Sequence, residues 1–115
     1  NRGANVLVVM TNDAWFKRTA AAEQHYVMSI LRAVENRRYV VRCAATGISG
    51  VIDPWGRTIE STGIFQRKTI MQTIAPRTEK TFYTRFGDWF AYLCTMLWIA
   101  GAVFERAAFA RRKRN

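Results

Sequence analysis

The hydrophobic pattern changes period along the chain, and each change marks an element. Val6-Leu7-Val8-Val9-Met10 is an unbroken apolar run rich in β-branched residues, which reads as a buried strand. It stops at the polar and aromatic cluster Thr11-Asn12-Asp13-Ala14-Trp15-Phe16, where the C-terminal end of a strand opens into a loop. In α/β architectures such strand ends carry the ligand sites, so Trp15 and Phe16 are expected to face a pocket. The period then becomes helical. Thr19 can cap a helix that opens with Ala20-Ala21-Ala22, and Val27, Ile30, Leu31 and Val34 recur at i, i+3, i+4 and i+7, which predicts a helix from Ala20 to Asn36 with that face buried.

Tyr39 to Ala45, rich in β-branched and small residues, predicts a second strand, and Val51-Ile52 a third, after tight turning at Gly47 and Gly50. Asp53-Pro54-Trp55-Gly56 has type I turn chemistry, with Pro at i+1 and Gly at i+3, so Arg57 to Ser61 returns as a hairpin partner. Lys68 to Ile74 alternates weakly and reads as a last strand. Residues 76–87 form a polar, basic and aromatic connector with no clear period.

Trp89 to Phe104 is a run of sixteen residues without a charge. As a helix it is about 24 Å long at ~1.5 Å per residue, slightly short of a ~30 Å hydrocarbon core. Snorkelling of Arg106 and the apolar residues Ala107 to Ala110 close the gap, and Trp89 and Tyr92 fall where an interfacial aromatic belt belongs. A buried core helix is the alternative. Apolar residues on every helical face and the following basic cluster Arg111-Arg112-Lys113-Arg114 favour a transmembrane helix over 88–110. The positive-inside rule then puts the tail, residues 111–115, in the cytoplasm and residues 1–85 on the outer side.

Charge refines this picture. Of a formal net charge of +10, residues 105–115 carry +4, five basic residues against Glu105, and the other +6 is spread over 104 residues. A basic tail behind an apolar segment favours anionic lipid over nucleic acid as the partner. Cys43 and Cys94 lie 51 residues apart with no CxxC pair, and His25 is the only histidine, so neither a disulfide nor a metal site is expected. The opening Asn1-Arg2-Gly3-Ala4 has no initiator Met and no signal-peptide pattern, as expected of a piece of a longer protein.

Five motifs follow in register: Asn12 to Phe16, Gln24-His25, Leu31-Arg32-Ala33-Val34-Glu35-Asn36, Thr46-Gly47-Ile48-Ser49, and Val51 to Arg57. Together they resemble the second half of the nitrilase-like (carbon-nitrogen hydrolase) domain and, within that family, the apolipoprotein N-acyltransferases of the bacterial envelope. The segment Lys80 to Trp89 is similar to the lead into that group's last helix. The resemblance implies an α/β fold: the C-terminal half of a nitrilase-like α-β-β-α sandwich at residues 1–75, followed by one transmembrane helix. It also implies that the Glu, Lys and Cys that react lie upstream of Asn1, so no catalytic residue is expected in this chain, and no cofactor.

Candidate residues divide into two groups. Trp15, with Asn12 and Phe16, is the expected substrate-binding group, since an indole supplies a rigid apolar wall with one donor; a space-filling core aromatic is the alternative for Trp15. Asn12 and Asp13 are expected to fix the loop through side-chain to backbone bonds. His25, Arg32, Glu35 and Thr46 form the expected structural support. Glu23 and His25 are two apart on the helix and cannot pair, whereas Arg32 meets Glu35 or Asn36 on one face. Cys43, mid-strand, reads as ordinary buried packing. The sequence departs from the family's pattern where Lys17-Arg18 replace a Gly and an acid, and where Ala44-Ala45 replace a Thr-Asn pair. Two bases there can draw anionic head groups, each worth about 1 kcal/mol near an anionic surface.

The resemblance implies transfer of an acyl chain from a phospholipid to the N-terminal diacylglyceryl-cysteine of a lipoprotein, by a monomeric enzyme of the bacterial inner membrane with its domain on the periplasmic side. Two alternatives remain open at this point: a membrane-tethered amidase or nitrilase acting on a small carbon-nitrogen compound, and a non-enzymatic basic membrane-anchored module.

Overall fold

The computed structural model describes residues 3–112, with side chains through 106. The chain forms two units, residues 1–85 and 86–115. In the first, β1 (Val6–Asn12), helix α1 (Ala20–Asn36) and β2 (Tyr39–Ala45) make a parallel β-α-β crossover. Strands β3 (Gly50–Ile52) and β4 (Thr58–Ser61) then add antiparallel, giving a four-stranded sheet in the order β1-β2-β3-β4. A short helix, α2 (Phe82–Phe86), follows.

Period-two alternation sends Val40, Arg42 and Ala44 of β2 inward beneath α1, beside Leu7 and Val9 of β1. Tyr26, Ala33, Val40 and Ile52 centre the core, with Ile30 and Ile48 packed on it. The opposite face of the sheet is open: Val8 and Met10 are 66% and 81% exposed.

Three expectations are corrected here. First, α1 buries Ala22, Tyr26, Ser29 and Ala33, not the face of Val27, Leu31 and Val34, each of which is at least 40% exposed. Small residues let the helix lie close over the sheet, and the Tyr26 hydroxyl finds Thr58 Oγ1 at 3.1 Å, so close approach outweighed the larger apolar stripe. Second, residues 68–74 form no strand. Lys68 and Gln72 reach Glu60 through side chains, at 2.7 and 3.0 Å, which holds the segment near β4 without a backbone ladder. Third, Cys43 is exposed on the open sheet face rather than buried. Thr19 does precede α1, but its hydroxyl makes no helix cap; it donates backwards to Phe16 O at 2.6 Å.

The predicted Asp53 turn closes with Gly56 N donating to Asp53 O at 3.0 Å, and Gly56 adopts φ +85°. A Cβ there would lie 2.7 Å from Val34 Cγ2, so both the turn and the overlying helix require glycine. Residues 77–81 are tied back along the same unit: Arg38 Nη1 donates to Glu79 O at 2.6 Å and Thr81 Oγ1 to Glu35 O at 2.5 Å.

In the second unit, α3 (Trp89–Arg112) runs for 24 residues. Among the described residues no helix is long and apolar enough to cross a membrane, because Glu105 and Arg106 end the uncharged run. The helix is therefore found where a span was expected, but the span itself is not. The apolar side chains at 107–110 and the basic tail at 111–115, both invoked for that expectation, lie outside the described side chains.

Candidate functional site

The site is built where β1 ends. The backbone of Asp13 continues the β1 ladder by one bond, Asp13 N to Ala45 O at 3.1 Å, and the chain then winds into a 3-10 turn over Ala14–Phe16, with Phe16 N donating to Asp13 O at 3.0 Å. Asn12 Oδ1 accepts from Ala14 N at 3.1 Å, the local side-chain turn expected of an Asn at a strand end.

Asp13 does something different. Its side chain is fully buried and reaches residues far away in the sequence: Arg42 Nη2 donates to Oδ2 at 2.8 Å, while His25 Nδ1 and Thr11 Oγ1 meet Oδ1 at 2.9 and 3.2 Å. Arg42 is 1% exposed at its side chain, and its other two nitrogens donate to Ser29 Oγ at 2.9 Å and Ile48 O at 3.1 Å. A buried ion pair is tolerable only when it is hydrogen-bonded beyond the pair itself, and here each guanidinium nitrogen and each carboxylate oxygen has a partner. The carboxylate selects the His25 tautomer with its proton on Nδ1, because a charged acceptor outcompetes the neutral lone pair that Arg42 Nη2, 3.2 Å away, would otherwise meet.

Burial pushes the Asp13 carboxyl up, but the bonds from His25, Arg42 and Thr11 and the guanidinium charge outweigh it, leaving the pKa below its ordinary value. Gly47 completes the enclosure: a Cβ at that position would collide with the Asp13 carboxylate.

On top of this buried cluster stand the aromatic residues. Phe16 packs edge-on against the His25 ring, centroids 5.6 Å apart. Trp15 is 88% exposed, so it fills no core. Lys17, in the position where the family's pattern has Gly, has φ 48° and ψ −141°, a backbone region that glycine alone occupies freely. The Arg18 guanidinium lies over the Phe65 ring at 5.1 Å.

The structure thus brings Asn12, Phe16 and His25 together around Asp13, with Trp15 projecting outward. Thr46 is close by, with φ +63° and its carbonyl accepting from Phe65 N at 2.9 Å. Arg32 and Glu35 are elsewhere, on the outer part of α1, as an ion pair at 2.8 Å; Glu35 Oε2 accepts no hydrogen bond there, so the contact is one of charge alone. Arg42, Ser29 and the long-range role of Asp13 were missed by sequence reasoning. A signal existed: Arg42 shares the inward parity of Val40 and Ala44, and a cation on a buried strand face demands an anion.

The carbon-nitrogen hydrolase family profile matches residues 1–83. The chain belongs to the carbon-nitrogen hydrolase family. It is similar to the apolipoprotein N-acyltransferase of Thermotoga maritima, 39% identical over 90% of this chain and 21% of that protein. The like-named protein of Geobacter metallireducens is 42% identical over 96% of this chain and 20% of its own length, and that of Gloeobacter violaceus 40% over 98% and 22%. The chain spans about a fifth of the length of the curated relatives it matches. Those relatives match across α3 as well as the sheet, whereas the family profile ends in α2.

Proposed function

We propose that this chain is the substrate-facing C-terminal part of an apolipoprotein N-acyltransferase that moves an acyl chain from a phospholipid to the diacylglyceryl-cysteine of a lipoprotein. The observation that carries the reading is an exposed indole on a rigidly fastened strand-end turn, in a chain about 40% identical over nearly its whole length to proteins so named. An indole supplies a large, rigid apolar wall with one donor, which suits an acyl chain. On this reading Trp15, Phe16 and Asn12 line the site, and His25 and Thr46 support it. The nucleophile and its acid-base partners come from the remainder of the protein, so residues 1–115 alone turn over no substrate.

Helix α3 is the membrane contact in this proposal. Phe90, Tyr92, Trp98, Ile99 and Phe104, spread around its circumference, are each at least half exposed. A helix apolar on all sides is at home in lipid or inside a larger bundle. With the basic tail inward, the sheet lies on the outer side of the bacterial inner membrane, in a monomeric enzyme. The relatives' names favour acyl transfer over a tethered amidase of the same family.

A chimera tests the reading. With this chain in place of the matching segment of the Thermotoga maritima relative, acyl transfer from phospholipid to a diacylglyceryl peptide is expected to persist and to fall at least about tenfold on Trp15→Ala while the protein still folds. An inactive but folded chimera overturns the function, and unchanged kinetics in Trp15→Ala overturn the site.

A further inference from the structure

We propose that Asp13, gripped by Arg42 and His25, is the positioning residue of the Trp15–Phe16 turn: a buried carboxylate that never meets substrate but fixes where the two aromatic rings stand. The inference rests on the reading of that turn as the substrate-contacting surface. It goes beyond that reading by assigning the function of the cluster underneath.

At 1% exposure Asp13 reaches neither solvent nor a ligand. Both of its oxygens are already occupied. A buried ion pair is seldom the most stabilising choice for a core, so a role in fixing geometry accounts better for its form. The connections all converge on three residues of chain. Oδ2 is anchored to β2 through Arg42, and Oδ1 to α1 through His25. The Asp13 carbonyl then accepts from Phe16 N, the Phe16 carbonyl accepts from Thr19 Oγ1 at 2.6 Å, and the Phe16 ring rests on His25.

The turn is therefore held from β2, from α1 and from its own backbone. It also carries a conformation at Lys17 that a free loop would relax, φ 48° with ψ −141°. Ser29 joins the grip behind Arg42, accepting from its Nη1 at 2.9 Å. Gly47 is the position that leaves room for it.

Two trypsin sites, Lys17 and Arg18, lie exposed directly after the turn and report its closure. In the chimera described above, limited trypsin digestion of His25→Ala, Arg42→Lys and Asp13→Asn is followed by mass spectrometry of the peptide bonds after Lys17 and Arg18. Cleavage there is expected to quicken about tenfold or more in each variant that folds, with cleavage at other basic residues unchanged. Arg42→Lys keeps the charge and loses the fork, so it tests the grip even if Asp13→Asn fails to fold.

Activity supplies the second readout. His25→Ala is expected to reduce acyl transfer several-fold when Trp15 is present and to have no further effect in Trp15→Ala, because the two act through the same rings. Cleavage that stays slow at Lys17 and Arg18 overturns the proposal. So does cleavage that rises at all basic sites in step with a lowered Tm, which would make the cluster a stabilising element only. If the unmodified chimera transfers no acyl group, the function fails, while the selective cleavage still decides whether Asp13 positions the turn.

Discussion

Asp13 and Asp53 are both buried and both keep their carboxyls below the ordinary value of 3.8, yet they are satisfied in opposite ways. Asp53 is served by its own turn. Trp55 N and Arg57 N donate to Oδ1 at 2.8 and 2.9 Å, and Arg57 Nε to Oδ2 at 2.6 Å. Burial pushes this carboxyl up and those local bonds outweigh it. Asp13 instead draws on residues 12 and 29 positions away, which only the β-α-β crossover brings near. The comparison separates a carboxylate that shapes a turn from one that ties three elements together, and the second kind stands under the candidate site.

The largest expected effect breaks that comparison directly. Asp13→Asn turns one end of the side chain into an amide donor against the donors of Arg42 or His25 and leaves a buried guanidinium without its anion. A loss of about 3–5 kcal/mol is expected. Asp53→Asn keeps Oδ1 for both backbone donors and loses the hydrogen bond and charge contact with Arg57, whose side chain is 76% exposed and can turn to water, so a loss of about 1 kcal/mol or less is expected. Urea denaturation in detergent of the two variants measures the difference; equal losses would show that distance in sequence carries no energetic meaning here.

Acid titration sharpens it. Because both carboxyls are lowered, each contributes stability that is fully present above its unfolded value and is lost as pH falls through its folded value, so the acid limb lies below about pH 4. Asp13→Asn and Asp53→Asn should each flatten that limb. The limb remaining in Asp13→Asn, which Asp53 supplies through an exposed Arg57 and Glu60 through Lys68 and Gln72, should weaken further in about 1 M salt, where screening acts within ~3 Å. The limb remaining in Asp53→Asn, to which Asp13 contributes through a buried Arg42, should change less. Denaturation midpoints between pH 2 and 6 at two salt concentrations report both.

The smallest effect concerns the backbone beside the site. Lys17→Gly relieves an unfavourable φ,ψ at the end of the aromatic turn and is expected to raise stability by about 1 kcal/mol, net of the extra freedom glycine brings to the unfolded chain. A shift in Tm of a few degrees upward checks it, and a fall would place the strain elsewhere.

The helix Ala20–Asn36 and the strand Tyr39–Ala45 coincide with their periodic and β-branched patterns, and the Asp53 turn follows from Pro54 and Gly56. Such features depend on residues a few positions apart, whose preferences act before the chain is compact. What faces what was less legible. Val27, Leu31 and Val34 make the more apolar stripe of α1, yet Ala22, Ser29 and Ala33 lie against the sheet, because fit between helix and strands is a property of both surfaces. The weak alternation of residues 68–74 made no strand: Lys68 and Gln72 reach Glu60 of the edge strand through their side chains, with no backbone ladder.

The candidate site divides in the same way. The sequence by itself determined the four strands and the helix Ala20–Asn36, the family, and the aromatic motif at Trp15 and Phe16, all of which are written in short segments of chain. Only the tertiary structure decided that Asp13 is bound to Arg42 and His25. That choice required the crossover of α1 to place β2 beside β1, so that a buried cation and a buried anion, neither tolerable alone, could meet at 2.8 Å.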